Sequence, residues 1–151
     1  MTIHDPVKVL VVDDHFGIRQ GISSLIDAER PYMCSVGSAA TGAQALDLAR
    51  QTQPDVVVLD VNLDGEDGLV LIAALQRVTH CQVVVLTSLA DPHVAAHARR
   101  LGATACVHKS APAADLLGCI LAARPAADKS LGGPPLIVGG SLSYLAESNH
   151  P

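Results

Sequence analysis

Pro54-Asp55-Val56-Val57-Val58-Leu59-Asp60 places four consecutive apolar residues, with no polar alternation, directly before a carboxylate. A strand with one wet face would alternate, so an unbroken Val-rich run reads as a strand buried on both faces of a parallel sheet. Val7 to Val12, a weaker run from Met33 to Ala39, Val83 to Leu86 and Ala103 to Val107 repeat the pattern. Between these runs the apolar spacing turns helical. Ile18, Ile22, Leu25 and Ile26 share one face, as do Leu69, Ile72 and Leu75, then Val94, Ala98 and Leu101, and last Leu116, Leu117, Ile120 and Leu121. Thr41-Gly42-Ala43-Gln44 has the form of a capping box ahead of Ala45, Leu46 and Ala49, and Asp91-Pro92 starts the helix that Gly102 ends. Five repeats of strand then helix predict an α/β fold: a doubly wound, five-stranded parallel sheet with helices on both faces.

The 151 residues make one ordinary domain. With 49% apolar and 17% charged residues the composition is that of a globular chain. Ten basic against fifteen acidic residues, none gathered into a basic stripe, argue against direct nucleic-acid binding. Met1 to Pro6 lacks a secretory signal, and no apolar stretch reaches the roughly 18 residues of a membrane span, so a cytoplasmic location is expected. Cys34, Cys81, Cys106 and Cys119 lack metal-ligand or disulfide spacing and read as buried, reduced thiols that act as small apolar residues. Beyond Arg124 the chain turns rich in Gly and Pro, with apolar pieces only at Leu136-Ile137-Val138 and at Leu142, Tyr144 and Leu145. This divides it into a domain over residues 1–124 and a tail over 125–151 that is either disordered or docked.

Ligands of an open parallel sheet collect beyond the carboxyl ends of its strands. Here those ends read Asp13-Asp14, Asp60, Thr87-Ser88 and His108-Lys109. Three clustered carboxylates repel one another and call for a divalent cation, and oxygen ligands favour Mg²⁺. Lys109 supplies a charge for phosphate and Thr87 a hydroxyl donor. The chemistry implied is phosphoryl transfer to a carboxylate.

Val11-Val12-Asp13-Asp14-His15, Pro54 to Asp60, Asp67-Gly68, Val85-Leu86-Thr87-Ser88 and Lys109 together resemble the receiver domain of two-component response regulators, over about residues 6–123. The opening motif and the Leu-Thr-Ser stretch are similar to LuxR-type receivers, although nothing in residues 125–151 reads as a helix-turn-helix. The resemblance implies a flavodoxin-like (βα)5 fold and a signalling protein rather than an enzyme. By it, Asp60 accepts a phosphoryl group from a histidine kinase or phosphotransfer protein. Asp14 binds Mg²⁺ directly, Asp13 mostly through water, and the Asn62 carbonyl is a further ligand. Thr87 and Lys109 hold phosphoryl oxygens, and phosphorylation shifts a face read by a downstream protein target or a second copy of the chain.

Several positions depart from the family pattern. Asp64 stands where the family has Pro, which leaves the rigidity of its loop open, and Cys106 replaces the aromatic residue that changes rotamer on activation. Ser110-Ala111 replaces the Pro after the family's Lys, so no cis peptide is expected there. Leu89 cannot orient an attacking water, so slow self-dephosphorylation is expected, checked by the decay of label over minutes rather than seconds. The departures keep a competing reading alive: a non-phosphorylated, receiver-like scaffold or dimerisation module.

Overall fold

The computed structural model describes residues 5–88 and 92–125. The tail assigned to 125–151 therefore lies, after Pro125, outside the described residues, as do Leu89 and Asp91. The order is β1 (Val7–Val12), α1 (Phe16–Asp27), β2 (Met33–Ala39), α2 (Gly42–Thr52), β3 (Val56–Asp60), β4 (Asn62–Leu63), β5 (Glu66–Asp67), a 3₁₀ turn (Gly68–Val70), α3 (Leu71–Val78), β6 (Gln82–Thr87), α4 (Pro92–Arg100), β7 (Ala105–His108) and α5 (Ala113–Ala122). Five strands form one sheet in the order β2-β1-β3-β6-β7, with every neighbouring pair parallel.

The unbroken apolar runs bury both faces, as expected of a parallel sheet. Val9, Val11, Val56 and Val58 point into the core beneath α1 and α5, while Leu10, Val12, Val57 and Leu59 point into the core beneath α2, α3 and α4. The run from Met33 to Ala39 reads more weakly because β2 is an edge strand, buried fully only at its two ends and shifted in register against β1 beyond Val9. Thr41 caps α2 by accepting from the Gln44 N–H at 3.2 Å. The Gln44 side chain returns to the N–H of Ala40, at 2.9 Å, one residue earlier than a strict capping box requires.

Two helices bury less than their sequence stripes suggest. In α1, Ile22 and Ile26 enter the core, but Ile18 and Leu25 remain 38% and 39% exposed. They line a surface cavity of about 200 Å³ between α1 and the start of α5. The stripe is wider than the strip of sheet that α1 covers, and its margin is left beside the cavity. In α4, Ala98 is buried and Val94 half-buried, while Leu101 lies beyond the helix end and is exposed. Leu116, Leu117, Ile120 and Leu121 of α5 are all buried. Of the four thiols expected to be buried, Cys34 and Cys106 are only half-buried; Cys81 and Cys119 are buried, and burial pushes their thiols up to about 11 and about 12. Among the described residues no helix is long and apolar enough to cross a membrane.

Candidate functional site

All five parallel strands point their carboxyl ends at one edge. The strand order reverses between β1 and β3, which is where an open α/β sheet parts to admit a ligand. Asp13 and Asp14 follow β1, Asp60 is the last residue of β3, Thr87 is the last of β6, and Lys109 follows β7. Asp13, Asp60 and Thr87 are buried. Asp13, Asp14, Asp60 and Lys109 thus meet in one acidic pocket, with Thr87 ending the strand beside β3.

Lys109 is its electrostatic centre. Its Nζ donates to Asp60 Oδ2 at 2.9 Å and lies 3.2 Å from Asp13 Oδ2. Burial works against the Lys109 ammonium, but the hydrogen bond and charge of Asp60, joined by Asp13, outweigh it and hold its pKa above the ordinary lysine value. For Asp60 burial is the largest influence and pushes the carboxyl above the usual carboxylate value. The Lys109 hydrogen bond and the N–H of Asn62, which donates to Asp60 Oδ1 at 3.2 Å, pull the other way.

One oxygen each from Asp13, Asp14 and Asp60 and a ring nitrogen of His15 lie within 4.8 Å of one another. Asp13 Oδ2 and Asp14 Oδ1 are buried and accept no well-formed hydrogen bond, their polar neighbours being Lys109 Nζ at 3.2 Å and His15 Nδ1 at 3.1 Å. Buried carboxylate oxygens in that condition fit a hard divalent cation, so the donor set suits Mg²⁺. His15 was not expected as a ligand. Its Nδ1 sits 3.1 Å from Asp14 Oδ1, its ring is exposed, and its N–H donates to Asp13 Oδ1 at 2.8 Å, turning the chain away from β1 into α1.

Three contacts at this edge were not anticipated from sequence. Arg19 in α1 donates from Nη1 to the Asp13 carbonyl at 2.8 Å and lies over the exposed ring of Phe16. Gly68 donates to the Val61 carbonyl at 2.6 Å and packs against the carbonyl of Asp60. His108 is bonded to Ser110 on the far side of Lys109.

The loop at Asp64 is ordered by different means from a proline. Asn62–Leu63 and Glu66–Asp67 pair antiparallel, and Asp64 and Gly65 between them both have positive φ, 49° and 88°. That combination marks a type I′ hairpin turn, for which Asp-Gly is a preferred pair. Glu66 Oε1 accepts from the Gly42 N–H at the start of α2, and Asp67 caps the following turn through the Leu69 N–H. The acidic loop is therefore a tied hairpin rather than a merely solvated one. Restoring the family residue with Asp64→Pro should destabilise the domain by about 2 kcal/mol in urea unfolding, because proline fixes φ near −65° where +49° is needed.

Cys106, at the position of the missing aromatic, is half-buried against the core beneath α4, and burial raises its thiol pKa. The cis peptide among the described residues joins Arg30 and Pro31, on the other side of the domain from Ser110 in sequence.

The family model for the response regulator receiver domain matches residues 9–121. The transcriptional regulatory protein LiaR of Bacillus subtilis is 30% identical over 146 residues, covering 94% of this chain and 66% of its own length. A protein-glutamate methylesterase/protein-glutamine glutaminase of Xanthomonas campestris is 37% identical over 91 residues, covering 60% of this chain and 25% of its own. The chain thus spans between a quarter and just under two thirds of these relatives, and their remaining lengths have no counterpart in the match. A crystal structure of a response regulator from Burkholderia pseudomallei, with a phosphorylated aspartic acid, a calcium ion and citrate, superposes with a TM-score of 0.66 at 25% identity, covering 84% of this chain and 75% of that one. The strand order, the acidic pocket with its lysine and the family match lead to one conclusion: the chain belongs to the response regulator receiver domain family of two-component signalling, and is a receiver rather than a catalytic enzyme domain.

Proposed function

We propose that Asp60 is the phosphoryl acceptor, and that the observation carrying this reading is the Lys109 ammonium held between Asp60 and Asp13 at the edge of an acidic cluster that includes Asp14. A carboxylate oxygen of Asp60 attacks the phosphorus of a phosphohistidine on a histidine kinase or phosphotransfer protein. The P–N bond breaks as the P–O bond of the acyl phosphate forms, and the departing imidazole nitrogen takes up a proton. Mg²⁺ would be held by Asp14, Asp60 and the Asn62 carbonyl, with Asp13 reaching it through water, and would neutralise charge on the transferring group. Lys109 takes one phosphoryl oxygen and the Thr87 hydroxyl another. The Burkholderia pseudomallei response regulator, whose crystal structure contains a phosphorylated aspartic acid, supports the assignment.

The phosphorylated form changes its contacts with a downstream protein or a second copy of the chain, and the receiver unit occupies residues 1–124. An acyl phosphate that draws Thr87 and Lys109 toward it moves the segments after β6 and β7, because Lys109 N–H is bonded to the Thr87 carbonyl at 2.8 Å. The test is intact-mass measurement after incubation with acetyl phosphate and Mg²⁺. One added phosphoryl group is expected, and none in Asp60→Asn. No uptake in the parent chain, with no response to beryllium fluoride, would put the scaffold reading first.

A further inference from the structure

We infer that His108 and Ser110 form a clamp that positions Lys109 for its work at Asp60, an inference that rests on the proposed acceptor role of Asp60. A lysine side chain has four rotatable bonds and gives up much rotamer freedom when fixed. Its ammonium reaches two buried carboxylates only if the backbone at residue 109 is set first. On its N-terminal side that backbone is fixed by β7, where His108 lies in register with Thr87, and by the Lys109 N–H on the Thr87 carbonyl.

On the C-terminal side the chain has left the sheet and α5 has not begun. There the Ser110 N–H donates to His108 Nδ1 at 3.1 Å, and Ser110 Oγ lies 2.6 Å from the same nitrogen. The Ala111 N–H donates to the His108 carbonyl at 3.0 Å. Both peptide units that flank Lys109 are therefore held, by the sheet on one side and by the His108 side chain and carbonyl on the other.

A backbone N–H can only donate, so His108 Nδ1 must present its lone pair. The ring is then neutral with its proton on Nε2, and the Ser110 hydroxyl donates to the same lone pair. His108 lines the cavity between α1 and α5 together with Leu25, Pro112 and Leu116. Neither His108 nor Ser110 contacts Asp13, Asp14 or Asp60 in the bonds that the site makes, so both act as positioning residues through Lys109.

The full chain and its variants test this by the initial rate of phosphoryl uptake from acetyl phosphate with Mg²⁺, read by intact mass. His108→Phe keeps the ring volume but removes the acceptor, and should slow uptake about tenfold. His108→Asn restores an acceptor oxygen at the position of Nδ1 and should return the rate to within about twofold of the parent. In a Lys109→Ala background, His108→Phe should have no further effect on the residual rate. Nitrogen-15 NMR of the parent should show the Nε2–H tautomer. Parent-like uptake by His108→Phe, an equal loss with and without Lys109, or a proton on Nδ1 would each overturn the clamp. If the parent itself takes up no phosphoryl group, the acceptor reading fails, and the tautomer and the exchange protection of the Ser110 amide still decide whether the clamp exists.

Discussion

Lys109→Ala should slow phosphoryl uptake about a hundredfold and cost about 2 kcal/mol of stability at neutral pH in metal-free buffer. The rate effect follows from losing a preorganised donor aimed at the transferring group, a loss of the size seen when one donor is removed from an oxyanion site. The stability effect follows from leaving Asp60 and Asp13 facing each other in a buried pocket with no cation between them. It sits at the lower end for a broken buried pair because the lysine side chain is one-fifth exposed.

The pH dependence has a definite sign. Asp60 already holds its proton more tightly in the folded chain than its ordinary value, and removing Lys109 tightens that hold. Above the ordinary value the folded variant binds more protons than the unfolded one, so its stability falls as pH rises through that window and then levels off. The deficit relative to the parent is therefore largest at neutral pH and shrinks on acidification. Urea unfolding at about pH 7.5 and about pH 4.5 checks this. A deficit that does not change with pH would mean that Lys109 contributes packing and no charge.

Gly68→Ala should cost about 3 kcal/mol and abolish phosphoryl uptake. A Cβ at this position would overlap the Asp60 carbonyl oxygen and come within 2.9 Å of the Val61 carbonyl. Both obstacles are backbone, so no side chain can rotate aside. The backbone that would have to move carries Asp60 and leads into Asn62, whose N–H bonds the Asp60 carboxylate. Gly65→Ala is the matching control. Nothing lies within 4 Å of its added Cβ, and only its positive φ resists the change, at about 1 kcal/mol. Thermal unfolding of the two variants with mass readout of uptake should separate a collision at Asp60 from strain in a surface turn.

The strands and the pocket were legible because each run of Val and Leu stops at a polar residue, and parallel strands bring those stops to one edge. What sequence could not show was how far each helix face is covered. Ile18 and Leu25 carry the right spacing, yet three of the four residues of their stripe, with Ile22, border a cavity, since coverage depends on where α5 packs. Asp64 was read as a lost proline, although Asp64-Gly65 is itself a hairpin signal. That signal was available and was outweighed by comparison with the family pattern. Gly68 stood in a motif without its reason, which is the approach of a carbonyl from another part of the chain. The reach of Arg19 to the Asp13 carbonyl depends on a rotamer and leaves no trace in spacing.

The reversal of strand order between β1 and β3 bears on when this chain becomes able to signal. Asp13 and Asp60 lie far apart in sequence and meet only because β3 pairs with β1, while Lys109 reaches them only where β7 pairs with β6. No fragment and no half-assembled sheet holds the three together. Modification at Asp60 would then act as a certificate of completed folding: a nascent, truncated or misassembled copy could not be charged, and so could not send a false message.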